Sequence, residues 1–126
     1  MVYNVVISEP AERDLDQALN YISNVLAAPE AASVLLGELE QALVLVASNP
    51  SLFGVDFDVS EAVGEQVRHC MVRGYEVYYQ TDETNQRVHV LAFLHGSRDA
   101  TRIVWRGGSR PREYLRHVGS RRFVDM

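Results

Sequence analysis

Residues 67–99 read VRHCMVRGYEVYYQTDETNQRVHVLAFLHGSRD, and their patterning decides the fold. In Tyr75–Thr81 and Arg87–Leu94, apolar side chains alternate with others in runs rich in aromatic and β-branched residues, as strands with a buried face require. Val67–Val72 alternates in the same way. Only Arg73-Gly74 separates it from the second run, and the polar Asp82–Gln86 separates the second from the third, so both connections suit hairpins. The three runs form an antiparallel meander that closes on His95-Gly96-Ser97-Arg98-Asp99.

Upstream the period changes. Val2–Ile7 is a short β-branched and aromatic run that suits a strand. Ser8 or Glu9 then caps a helix whose first turn accepts Pro10 and whose early residues include Glu12, Asp14 and Asp16, favourable near the positive end of the helix dipole. Ala11, Leu15, Ala18, Leu19, Ile22 and Leu26 recur at helical spacing until Ala27-Ala28-Pro29 interrupts them. A second helix opens near Pro29 or Glu30, presents Ala32, Leu35, Leu36, Leu39, Leu43 and Val46 on one face, and stops at Asn49-Pro50. These two helices make a hairpin. Ser51–Glu65 holds no helical period and reads as a loop with at most one edge strand. The order β-α-α-β-β-β gives an α+β fold in which an antiparallel sheet is covered on one face by the helical hairpin and the other face is left for function.

With 126 residues and 47% apolar composition, the chain has material for one core. The expected domain covers residues 1–99. Residues 100–126 follow as a basic C-terminal extension with one more strand at Thr101–Trp105, then a mobile tail with at most a short helix around Glu113–Val118. No run reads as a membrane span, and Met1-Val2-Tyr3-Asn4 lacks the basic start of a secretory signal, so a cytoplasmic protein is expected. Cys70 is the only cysteine, which rules out an intrachain disulfide and a cysteine-based zinc cluster. The chain contains no lysine, so lysine chemistry is excluded. The net charge of −5 conceals a division. Residues 1–66 hold eleven acids against Arg13 alone, whereas residues 67–126 hold eleven arginines against six acids. An anionic ligand should meet the second half.

Several local features, taken in order, resemble the RelE/ParE toxins of type II toxin–antitoxin (plasmid stabilisation) modules. A first strand ends in Ser8, Ala11-Glu12-Arg13-Asp14-Leu15 forms Ala-x-x-Asp-Leu, and Tyr21-Ile22 follows. Pro29-Glu30-Ala31-Ala32 opens the second helix and Asn49-Pro50 ends it. Gly74-Tyr75-x-Val77-x-Tyr79 matches the hairpin, and Val88–Leu94 runs into His-Gly-x-Arg-Asp. The resemblance implies a RelE/ParE-like fold, a cognate antitoxin as partner and growth arrest as the outcome. It implies a ParE-like, non-enzymatic inhibitor of a topoisomerase such as DNA gyrase. The alternatives are a RelE-like, metal-free endoribonuclease acting on mRNA at the ribosome, and an inactive relic that still binds an antitoxin; homodimerisation stays open. In ribonuclease members an arginine that contacts the scissile phosphate usually follows the Gly-Tyr of the hairpin. This chain has Glu76 there, and a carboxylate repels a phosphodiester rather than stabilising its developing charge.

Arg68, Arg73 and Arg98 are the candidates for binding an anion or an acidic partner, as guanidinium groups that grip phosphate or carboxylate with two hydrogen bonds. The competing role is surface ion pairing with Glu61, Glu65, Glu76 or Asp99. Arg98, His95 and Glu76 are the candidate catalytic residues. His95 can shuttle protons for attack by a 2′-hydroxyl, or can hold its turn through Asp99 or the backbone. Tyr75 and Tyr79 share one strand face and Tyr78 takes the other, so one set belongs to the core. His69, His89 and His117 show no ligand spacing, and neither a metal nor another cofactor is expected.

Overall fold

Ser8 turns the first strand into the first helix, and its hydroxyl holds both. In the computed structural model, which describes residues 2–96, Ser8 is fully buried. Its Oγ accepts from the Ala11 N–H (3.2 Å) and donates to the Leu91 carbonyl (3.1 Å). Strand β1 (Asn4–Ile7) thus leads into α1 (Glu9–Asn20), whose second residue is Pro10. A single π-helical turn, Tyr21–Val25, ends this arm, and α2 (Pro29–Ser48) returns along it to a 3-10 turn at Pro50–Leu52. Then come α3 (Phe57–Val63), β2 (Arg68–Val72), β3 (Tyr75–Asp82) and β4 (Arg87–His95). Arg98, Asp99 and the whole extension 100–126, with its expected strand and helix, lie outside the described residues.

The sheet order is β1-β4-β3-β2. The meander is antiparallel as expected, and its first turn places Arg73 at φ 48° and Gly74 at φ 84°, the two positive values of a type I′ hairpin turn. β1 lies parallel to β4, with Asn4 opposite Arg87 and Ile7 opposite Val90, so the sheet is mixed rather than antiparallel throughout. Only a crossover joins parallel strands, and the helical hairpin followed by the meander supplies it. Alternation of side chains carries no information about strand direction.

The hairpin covers one face. Ala11, Leu15 and Ala18 of α1 and Leu35, Leu39, Leu43 and Val46 of α2 pack on Val5, Ile7, Val77, Tyr79, Val88, Val90 and Phe93 of the sheet. The helical stripe breaks earlier than its spacing predicts: Leu26 is 54% exposed. The π-helical turn inserts a residue and shifts the register, so that Ile22 still packs against the core while Tyr21, Val25 and Leu26 face solvent. By length and composition α2 is apolar enough to cross a membrane, contrary to the sequence expectation, but its inner face here is packed in the core.

Ser51–Glu65 departs most from expectation, because it contains α3. Asp56 caps this helix, with Oδ1 accepting from the Val59 N–H at 3.0 Å, and Gly64 ends it at φ 88°. Ser60 joins it to the sheet, accepting from the Val67 N–H (2.7 Å) and donating to the Val67 carbonyl (3.2 Å). The expected edge strand shrinks to one bridge, Val55 with Arg68. Val59 and Val63 bury a second core with Val67, Tyr78, Leu91 and Ala92. The sheet face expected to stay open is therefore partly covered.

Candidate functional site

What remains of that second face is set by the β2–β3 register, in which His69 lies opposite Tyr78 and Met71 opposite Glu76. His69 and Glu76 are diagonal neighbours across the two strands, within reach of each other. The His69 Nδ1 lies 3.1 Å from Glu76 Oε2 and 3.8 Å from Asp56 Oδ2, and the imidazole stacks on Tyr78 at a centroid distance of 5.9 Å. An ionised carboxylate only accepts, so the Nδ1 carries the proton in this hydrogen bond. Asp56 divides its work: Oδ1 caps α3, while Oδ2 faces His69. Two carboxylates thus surround one half-buried imidazole. Burial, with Glu76 and then Asp56 adding to it, pushes the Tyr78 phenol up to about 12. Burial, reinforced by Glu76, raises the Cys70 thiol to about 11, so this cysteine remains a thiol and not a nucleophile.

The arginines are engaged elsewhere. Arg68 Nη1 donates to the Phe53 carbonyl at 2.7 Å, beside Tyr79, whose hydroxyl donates to the Pro50 carbonyl at 2.7 Å. Both bonds fasten the segment after α2 to the sheet. Arg73, in the turn at the other end of β2, pairs with Glu38 of α2 at 2.8 Å. The ion-pair alternative therefore describes Arg73, with Glu38 as a partner that sequence reading did not name. Arg68 and Arg73 do not converge, and neither of these bonds reaches the His69–Glu76 pair.

His95 ends β4 opposite Tyr75, on the hairpin face. It meets the Tyr75 ring edge-on at 5.4 Å, and Tyr75 stacks on Phe93 at 4.7 Å. With Asp14, Gln17 and Tyr21 of the α1 arm these residues line a cleft of about 490 Å³. His95 and Glu76 therefore occupy opposite faces of the sheet, and Arg98, the third candidate, lies outside the described residues. No group of three or more His, Cys, Asp or Glu side chains suited to a metal ion occurs among the described residues.

Asp14 has a role that sequence alone does not show. β4 carries a bulge: Tyr78 lies opposite Ala92 and Tyr79 opposite Val90, so Leu91 is the extra residue. Beyond Ile7, β1 no longer pairs with β4, and the Phe93 N–H donates instead to Asp14 Oδ2 at 3.0 Å. Ser8 takes over the carbonyls, its N–H donating to Val90 O (3.0 Å) and its Oγ to Leu91 O. The Ala-x-x-Asp-Leu segment thus buries Ala11 and Leu15 while its aspartate completes the sheet edge.

The model of the ParE toxin of type II toxin–antitoxin systems, parDE, matches residues 5–100, which include every described helix and nearly all of the sheet. The chain belongs to the ParE toxin family. No curated protein matches it. As a ParE-family chain it is the toxin of a type II module, and an antitoxin is its general partner.

Proposed function

We propose that this ParE-family protein arrests growth without cutting RNA, by blocking a topoisomerase such as DNA gyrase, and that a cognate antitoxin neutralises it. The observation that carries this reading is the Glu76–His69–Asp56 cluster. At the hairpin position where phosphate chemistry calls for a guanidinium there is a carboxylate, tied to an imidazole that faces a second carboxylate. Arg68 and Arg73 hydrogen-bond to Phe53 and Glu38 instead. A pentavalent phosphorane carries excess negative charge, which this constellation raises in energy rather than lowers. His95, on the opposite face, is too far round the sheet to serve with Glu76 as an acid–base pair.

Arg98 enters as the contact implied by the family resemblance, following the last strand. In bacteria expressing the chain, growth should stop, and Arg98→Ala should relieve the arrest while the folded protein accumulates normally, as checked by its yield and circular dichroism. With purified components, the protein should inhibit ATP-dependent supercoiling of relaxed plasmid by gyrase. Undiminished supercoiling at a large molar excess would count against the proposed target. Full toxicity of a folded Arg98→Ala variant would show that the contact lies elsewhere.

A further inference from the structure

α2 is apolar on two sides. Toward the sheet it buries Leu35, Leu39, Leu43 and Val46. On the opposite side Val34, Gly37, Gln41, Val44 and Ser48 recur every three or four residues with Leu45 beside them, all within one narrow arc of the helix. Val34, Val44 and Leu45 are 44%, 49% and 52% exposed, although the outer face of a helix packed on one side is ordinarily polar. A Cβ placed on Gly37 would meet nothing within 4 Å, so the middle of the seam is a shallow notch that admits a second backbone. The charges along α2 have one sign: Glu30, Glu38 and Glu40, with no basic residue in the helix. Glu38 is paired with Arg73, while Glu30 and Glu40 stand exposed.

We propose that this outer seam of α2 receives one helix of a partner protein, with small or apolar residues at three-four spacing and arginine or lysine on both flanks. The inference rests on the reading of the chain as a toxin held by a protein partner, and adds the place and chemistry of the contact. Charge complementarity selects the occupant. A second copy would lay one α2 against another, and neither helix carries a basic residue to face the exposed Glu30 and Glu40, so like charges oppose that pairing. The arginine-rich segment of the chain after Gly96 has the right sign. Its longest stretch free of Pro and Gly is Ser97–Arg106, ten residues that would make about 15 Å of helix. From Val34 to Ser48 the seam runs about 21 Å, four turns that such a stretch cannot match.

The test uses the full-length protein and two synthetic helical peptides. Both carry Leu and Ala at seam positions; one is flanked by Arg and the other by Glu. Binding is followed by fluorescence anisotropy and the contact is mapped by amide chemical shifts. The Arg-flanked peptide should bind and shift the outer residues of α2, and the Glu-flanked peptide should bind at least about tenfold more weakly. Val44→Gln with Leu45→Gln, and separately Gly37→Leu, should each weaken binding by roughly tenfold, with circular dichroism and urea midpoint preserved. Equal binding of the two peptides, or shifts confined to other surfaces, would overturn the proposal. So would self-association that Leu45→Gln abolishes, which assigns the seam to a second copy. Changed α2 shifts in an Arg102→Glu, Arg106→Glu variant without peptide would likewise overturn it, assigning the seam to the chain's own tail. Expression separates the two claims. Absence of growth arrest by the unmodified chain overturns the functional reading and leaves the seam to be judged by the peptides, whereas arrest without peptide binding overturns the seam alone.

Discussion

Single side chains at the β1–α1 junction do more for this fold than their number suggests. Ser8 satisfies an orphan N–H at the start of α1 and a carbonyl in the β4 bulge with one hydroxyl. Ser8→Ala removes both bonds in a fully buried site and should cost about 2 kcal/mol, read as a lower urea midpoint at unchanged slope. A loss below about 0.5 kcal/mol would mean that water replaces the hydroxyl. Half of this role was legible: a serine before Glu9-Pro10 announces a cap, but nothing in the sequence says that it reaches Leu91. Asp14 was legible only as a favourable charge near the helix start. His89 supplies a pH dependence. Burial lowers its pKa below the ordinary imidazole value, against the opposing effect of Asp82, and its Nδ1 has no hydrogen-bond partner. The folded protein therefore binds this proton less tightly than the unfolded chain does, so stability is complete above the ordinary value of about 6.5 and declines as pH falls through it. In His89→Gln the decline between pH 7 and 5 should flatten. An unchanged slope would assign it to other groups.

At the scale of elements, long periodic segments were readable and short ones were not. α1 and α2 repeat their apolar residues over enough turns to declare a helix, and Gly74 in a two-residue turn declares the β2–β3 hairpin. α3 has seven residues, so Val59 and Val63 supply only one helical interval among Phe53, Val55 and Phe57, which mimic strand alternation. Its real signals are the termini, Asp56 three residues before Val59 and Gly64 directly after Val63. The β4 bulge was hidden for another reason: Val90-Leu91-Ala92-Phe93 is apolar throughout, so no polar residue marks where alternation slips. α3 is held mainly by Val59 and Val63. Val59→Ala should cost about 2 kcal/mol through two lost buried methyl groups, and the Val67 amide, which donates to Ser60, should exchange faster. Loss of stability without faster exchange at Val67 would show that α3 stays docked without its central side chain.

Across the whole molecule, the mixed sheet separates two kinds of surface. The helical hairpin packs one face and turns an acidic, partly apolar back to solvent, while α3 leaves the His69–Glu76 end of the other face accessible. The family and most of the fold were readable because motif order over residues 5–100 survives even where single motifs are common. The site was readable only in part. Glu76 stands out as a departure from the ribonuclease pattern, but its partner His69 lies seven residues away in sequence and becomes its neighbour only once the hairpin register is known. The partners of Arg68 and Arg73 were not readable, because strand spacing says nothing about Phe53 and Glu38, which come from elements folded onto either end of β2.

A carboxylate at position 76 should remove RNA cleavage from this scaffold, and the decisive measurement is primer extension on mRNA undergoing translation in the presence of the purified protein. No new 5′ ends should appear at any protein concentration that inhibits gyrase, and none in Glu76→Gln, because removing one charge installs no guanidinium. Discrete cuts in translated mRNA by the unmodified protein, abolished by His95→Ala or Arg98→Ala, would contradict it and make Glu76 a general base.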